Sequence, residues 1–271
     1  MGITAGLTRS LLKATPLEQS ASVDWTPNIQ GIKLNGSDEY ADAGTGLGNK
    51  LGDNYAGSLT ASVWFKADVT NHQDGIFALR EDGTHGKFQF SAWEGEIQFQ
   101  LNGASWKREV DFTDTTSWHH LVCIYAAGSE TNSKMYLDGA AVGGRLSGSF
   151  PAASAMDFAG LNTIIGGFVN ASYLFNGKID EVAVFDYVLS AGQVASIYND
   201  YIPDGGVPSD LKEFSPVAWW RMGEDDDPNG TIISDLARIP GSELVTNGTF
   251  TGVADATDPV GNITGWSAYG S

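Results

Sequence analysis

Apolar and polar residues alternate along most of the chain between Gly31 and Tyr201. In "SLTASVWFKA", Leu59, Ala61, Val63 and Phe65 share one face, and Thr60, Ser62, Trp64 and Lys66 share the other. "GKFQFSAWEG" and "EIQFQLNG" alternate as strictly, the period of two that marks a strand with one wet face. "GIKLNG", "EYADAG", "DGIFALRE" and "SWKREVDF" add further short runs, with "DG", "EG" and "NG" turn signals between them. Turns at such short intervals predict hairpins, and many short strands predict an all-β sandwich or barrel.

The segments "WHHLVCIYAA" and "SKMYLDG" read as adjacent strands joined by "GSETNS". Strand alternation puts His119, Leu121, Cys123 and Tyr125 on one face, and Trp118, His120, Val122 and Ile124 on the other. The two histidines then point in opposite directions and do not share a metal. Asp138-Gly139 reads as a tight turn. "KIDEVAVF" reads as a strand with Ile179, Glu181, Ala183 and Phe185 alternating against Asp180, Val182 and Val184. "SAGQVASIYN" reads as a short helix, with Ser190 and Gln193 in capping-box spacing and Val194, Ile197 and Tyr198 as its apolar stripe. Residues 1–27 stand apart: Leu7, Leu11 and Leu12 fall near helical spacing with Arg9 and Lys13 on another face. That piece either packs on its own domain or docks into a partner.

Composition agrees with a β protein: 34 Gly for turns, and 8 Trp, 9 Tyr and 13 Phe for sheets and core. The formal charge of −18 opposes nucleic acid and anionic membranes and favours cations or basic partner surfaces. The densest acidic run is Glu224 to Asp227. The one cysteine, Cys123, excludes an intrachain disulfide and reads as a small core residue. No apolar stretch is long enough to insert in a membrane, and the start of the chain does not read as a signal peptide.

The order "SLTASVWFKA", "TTSWHHLVCIY", "SKMYLDG", "FNGKIDEVAVFDYVLSAGQVASIY" resembles the laminin-G-like, concanavalin A-like jelly-roll domains over residues 28–201. The resemblance implies a two-sheet antiparallel jelly-roll sandwich that binds glycans or proteins. Further on, "VAWWRMGEDDDPNG" resembles the opening of another laminin-G-like unit. "ELVTNGTFTG" with "GWSAYG" resembles the first strands of a carbohydrate-binding-module jelly roll. Residues 202–271 therefore read as a linker and the incomplete start of a second β-module. This combination of parts is similar to virion structural proteins of tailed bacteriophages: appendage, fibre or capsid-decorating subunits. It implies a multicopy assembly with other virion proteins, formed in the host cytoplasm. A secreted or surface calcium-dependent lectin is the alternative, and a glycoside hydrolase on the same fold is the next.

For hydrolysis the nearest motif is "EVDFTD", Glu109, Asp111 and Asp114. A retaining mechanism needs two carboxyl groups about 5–5.5 Å apart, and here the last position is an aspartate in the wrong segment order for that family. The expectation is no catalytic residue. For calcium, which takes six to eight oxygens, the resemblance implies Asp180 on the closing strand with Asp38 of the "NGSDEY" loop; Glu224 to Asn229 is a weaker candidate. For glycans, Trp93, Trp64, Trp106 and Tyr173 are the candidate platforms, Trp93 foremost because "SAWEGE" puts it at a hairpin end.

Overall fold

The computed structural model describes residues 31–80, 86–152, 156–168, 173–200, 211–222 and 246–247. The N-terminal segment with Leu7, Leu11 and Leu12 and the acidic run from Glu224 lie outside these residues. In chain order the strands are β1 (Ile32–Asn35), β2 (Ala41–Asp42), β3 (Leu59–Ala67), β4 (Gln73–Arg80), β5 (Phe88–Trp93), β6 (Glu96–Leu101), β7 (Trp106–Asp111) and β8 (His119–Tyr125). They continue with β9 (Met135–Leu137), β10 (Ala140–Val142), β11 (Arg145–Gly148), β12 (Asn162–Ile165), β13 (Asn176–Phe185), β14 (Ala218–Trp220) and β15 (Thr246–Asn247). Two helices join them, α1 (Gly46–Leu51) and α2 (Ala191–Asp200).

The strands make two antiparallel sheets. One runs β1-β13-β3-β8-β9-β10 with β14 also on β13, and the other runs β11-β7-β6-β5-β4-β12-β2-β15. Their inner faces enclose the core, in which Phe65, Phe77, Phe88, Phe90, Phe99, Trp106 and Phe175 are fully buried. The chain passes repeatedly from one sheet to the other, so the layers are knit by connections as well as by packing. Hairpin loops fit the right-handed twist of their strands: Glu94 and Gly95, and Asp138 and Gly139, all have positive φ. The predicted turn at Asp138-Gly139 is therefore present.

A second apolar layer covers the outer face of the first sheet. Val122, Ile124, Ala183 and Phe185 meet Val194 and Ile197 of α2, with Leu211 and Trp219 behind them. The capping box forms as expected: Ser190 N donates to Gln193 Oε1 at 2.9 Å and Gln193 N to Ser190 Oγ at 3.2 Å.

The alternation expected along "KIDEVAVF" fails at one point. The pairing of β13 with β3 shifts register between Asp180 and Ala183, and Glu181 has φ +46°. The bulge inserts one residue and reverses the phase. Ile179 therefore shares the inner core with Val182 and Val184, while Ala183 and Phe185 face α2. Glu181 is left buried, taking hydrogen bonds from Trp219 Nε1 (2.6 Å) and Arg221 Nε (3.2 Å). The described parts of residues 202–271 thus belong to the sheets of the sandwich itself, with β14 on β13 and β15 on β2.

Candidate functional site

The outer face of the second sheet is built by the residues that alternate with the core. Register aligns Gln73, Trp93, Glu96 and Asp111 in one row across β4 to β7. Gly75, Ser91, Gln98, Glu109 and Arg145 form the next row, and Ala78, Gln89, Gln100 and Lys107 a third. This face is expected to be wet, yet Gln89, Gln98 and Gln100 are buried. They satisfy one another instead. Gln89 Nε2 donates to Gln100 Oε1 at 2.6 Å, and Gln100 Nε2 to Gln98 Oε1 at 2.8 Å. Gln89 Oε1 also accepts Gly86 N–H at 2.8 Å and Arg80 Nη1 at 3.4 Å. A side-chain amide donates and accepts at once, so the ladder makes a floor of oriented dipoles with no net charge.

An aromatic wall rises at the β4–β5 end of this floor. Trp93 and Tyr173 lie with ring centroids 5.3 Å apart, and Tyr173 meets Phe168 at 5.8 Å. Tyr173 is 44% exposed. Its backbone is in the left-handed region (φ +56°), and its carbonyl accepts Gly75 N–H at 2.7 Å. A side chain at Gly75 would meet the Gly167 backbone at 2.7 Å and the Phe168 ring at 2.8 Å, so glycine lets this wall approach the strand. The Arg80 guanidinium sits 4.7 Å from the Phe168 ring centroid, within cation–π range. Ser91 Oγ and Arg80 Nε are buried without a hydrogen-bond partner among the described residues. Beneath the wall, on the core side of β4, burial raises the Asp74 carboxyl to about 6 against the N–H of Asn176 and the charge of His72.

Of the four aromatic candidates, the structure brings Trp93 and Tyr173 together at this wall. Trp64 and Trp106 are buried and offer no surface to a sugar. Trp64 and His120, 5.0 Å apart, both stack against Tyr198 of α2, at 5.5 and 6.0 Å. Trp106 lies between the sheets and donates Nε1 to Glu130 at 2.6 Å. Both are candidates only as far as their faces stay open; α2 covers the face of Trp64, and register turns Trp106 inward opposite Leu101. The residues missing from the sequence reading are Arg80, Ser91, Phe168 and the three glutamines. The signal for the last was present in "FQF" and "IQFQL", where amides rather than charges alternate with the core.

The carboxylates of "EVDFTD" are dispersed. Glu109 is bonded to Lys107 at 3.3 Å and Asp111 to Arg145 at 2.9 Å. Asp114 lies beyond β7 and accepts Thr116 N–H and Oγ1–H at 2.6 and 2.7 Å. Asp38 and Asp180 are not brought together either. Asp38 bonds Asn35, which pairs with Asn176, and Asp180 lies four residues further along β13, on the order of 13 Å away. Asp180 Oδ1 already accepts the N–H of Glu181 at 2.8 Å. These two carboxylates do not fit one shared calcium site. Among the described residues, no group of three or more His, Cys, Asp or Glu side chains is arranged to hold a metal.

The histidine pair divides as strand alternation requires. His120 Nε2 lies 2.7 Å from Ser62 Oγ on the α2 side, and burial depresses its pKa to about 3. His119 lies between two carboxylates, 2.8 Å from Asp138 Oδ2 and 3.3 Å from Asp114 Oδ2. Burial opposes its charge, but the hydrogen bond and charge of Asp138, with Asp114, outweigh burial and raise the pKa. This stabilisation is present below His119's unfolded pKa of about 6.5 and is lost as pH rises through the higher folded value. The two aspartates titrate below their usual value, so the cluster is strongest from about pH 4 to about pH 6.5, and weakens from there toward the folded histidine pKa. Urea unfolding from pH 5 to 9 should show a stability difference between the native chain and His119→Gln that shrinks toward alkaline pH. A difference independent of pH would remove the charged-histidine account.

A family model for the concanavalin A-like lectin/glucanases superfamily matches residues 35–195. Among solved structures, the chain is similar to a Bacteroides ovatus protein assigned to carbohydrate binding, at 17% identity and a TM-score of 0.54, covering 82% of this chain and 58% of that one. It is also similar to a heptameric pentraxin of Limulus polyphemus (16% identity, TM-score 0.43, 65% of this chain and 84% of that one). A sialidase carbohydrate-binding module of Ruminococcus gnavus, bound to sialyllactose, aligns at 15% identity and a TM-score of 0.45, over 62% of this chain and 96% of that one. No curated protein sequence matches it. Among the described residues, no helix is long and apolar enough to cross a membrane.

Proposed function

The chain belongs to the concanavalin A-like lectin/glucanases superfamily, and on that premise we propose that it is a non-enzymatic attachment protein that holds glycan on the outer face of its second sheet. The observation that carries this reading is the wall of half-buried Trp93 and exposed Tyr173 beside the Gln89–Gln100–Gln98 ladder. An aromatic face takes the apolar side of a sugar ring, and the buried, mutually bonded amides hold the floor beneath that wall in place. Binding is favoured over hydrolysis because Glu109 and Asp111 are each bonded to a cation. A carboxylate beside a cation is held ionised and is a poor general acid, the role that hydrolysis needs one of the pair to fill.

In this reading the protein is a bacteriophage appendage, fibre or decorating subunit. The resemblance of the sequence's combination of parts to virion structural proteins supports that setting. Many copies on one particle turn weak contacts with a cell-surface polysaccharide into firm adhesion. A free-standing lectin would use the same site; its fold likeness to the Bacteroides ovatus protein favours that second reading. Co-sedimentation of the chain with intact particles separates the two.

The site itself is tested by titrating cell-surface polysaccharide into the full chain and its Trp93→Ala variant. Removing an anchoring aromatic should weaken binding about tenfold or more with little change in melting temperature. Equal affinity in both proteins would move the glycan away from this wall.

A further inference from the structure

Among the four described arginines, Arg80 differs in what surrounds it. Arg145 bonds Asp111 and Glu96, and Arg221 bonds Glu181. Arg108 gives Nη1 to Gly143 O and Nη2 to Ser133 O, and the charge of Glu130 acts on it. Arg80 has no carboxylate partner among the described residues. Its hydrogen bond is to a neutral amide oxygen, Gln89 Oε1 at 3.4 Å, its face covers the Phe168 ring, and its Nε is buried without an acceptor. Burial lowers its pKa, and the influence that opposes burial is that of Tyr173, a phenol of the glycan wall.

This is unexpected in a chain with 33 acidic and 15 basic residues, where a counter-ion is easily supplied. A partly buried guanidinium without a counter-ion is costly, and its planar fork matches a carboxylate. Beside it, Ser91 Oγ is also buried without a partner. Of the other cations on this face, Lys107 and Arg145 are bonded to carboxylates, and Lys87 gives its ammonium to the amide oxygen of Asn102. Among the described residues, a positive charge without a carboxylate and a hydroxyl without a partner therefore stand at the aromatic wall, at the end of the uncharged glutamine ladder.

Resting on the glycan reading above, we propose that the wall selects a glycan bearing an isolated anionic sugar, with Arg80 pairing the sugar's carboxylate while Trp93 and Tyr173 take the ring. The ligand's charge must be sparse. The formal charge of −18 repels a polyanion at every point beyond the immediate reach of Arg80. A single carboxylate in an otherwise neutral chain gains the local pairing and avoids most of that repulsion.

The test is a glycan array of matched chains, neutral, mono-carboxylated and polyanionic, read with the full protein at low and physiological salt. The mono-carboxylated chains should bind tightest. Arg80→Gln should lose about 10–100-fold on them and little on neutral chains. Arg80→Lys should keep part of the preference, since it keeps charge without the fork. Lys212→Gln, which removes one positive charge beside Leu211 on the outer face of the other sheet, should bind as the native chain does. If Arg80→Gln does not fold, Arg80→Lys and the salt dependence decide. An Arg80→Lys protein without reduced affinity, or a preference insensitive to salt, overturns the assignment. Equal binding of neutral and acidic chains by the native protein overturns it too, while leaving the glycan reading intact. No binding to any chain removes both.

Discussion

Arg221→Ala should lower the unfolding free energy by about 3–5 kcal/mol, the usual cost of stranding one member of a buried ion pair. Both partners are 1% exposed, and the Glu181 carboxylate has Arg221 Nε on one oxygen and Trp219 Nε1 on the other. Burial, with the adjacent charge of Asp180, raises the Glu181 pKa to about 8, against the pull of Arg221 and Trp219. A carboxyl raised above its unfolded value contributes fully below that value, near 4.5, and its contribution falls as pH rises through the folded one. Without Arg221 the folded pKa rises further. The deficit of the variant should therefore be larger at pH 9 than at pH 6, where Glu181 escapes by taking a proton. Glu181→Gln combined with Arg221→Met should recover most of the loss, because it removes the stranded charge. Denaturant unfolding of the three proteins at both pH values checks this. A deficit under about 1 kcal/mol for Arg221→Ala would show that water reaches Glu181 in the native state.

Trp106→Ala should cost about as much, 3–5 kcal/mol, for a different reason. The indole is fully buried between the sheets, edge-on to Phe99 and Phe150 at 5.6 and 5.4 Å. Truncation opens a cavity that β-sheets on both sides are too constrained to close. It also removes the Nε1–H that Glu130 accepts at 2.6 Å. Trp106→Phe refills most of the volume and should restore part of the loss, leaving Glu130 without its donor. The same Trp106→Phe protein should bind glycan as the native chain does. Thermal unfolding and polysaccharide titration of the two variants separate a packing role from a binding one: a Trp106→Phe protein that folds well yet no longer binds would return this tryptophan to the ligand site.

The contrast between Trp106 and Trp93 shows how far the sequence can be read. Strict alternation in β3, β5, β6 and β8 carries their faces, because each strand has enough residues to set a phase. The capping box of α2 and the Asp138-Gly139 turn are local and equally legible. Whether a tryptophan is wall or core depends on which face a neighbouring element covers, and α2 covers Trp64 from far along the chain. The reversal at Glu181 was not legible, because nothing in "KIDEVAVF" marks the inserted residue. The joining of β14 to β13 is non-local and rests on a partner forty residues away at Glu181. For the proposed glycan site, the aromatic pair was within reach of sequence reasoning. The role proposed for Arg80 was not, because it rests on the lack of a carboxylate partner among the described residues, which only register and burial reveal.

The edge of β13 is shared by strands from opposite ends of the domain: β1 pairs with its first half and β14 with its second. During synthesis β1 is available when β13 leaves the ribosome, but β14 is not. The stretch from Val182 to Val184 then presents open N–H and C=O groups, next to a buried acid still waiting for its two donors. An unpaired apolar edge is a template for wrong partners. The interval between the emergence of Phe185 and that of Arg221 is thus the hazardous period of this protein's biogenesis, when crowded nascent copies on one message are most exposed to mispairing.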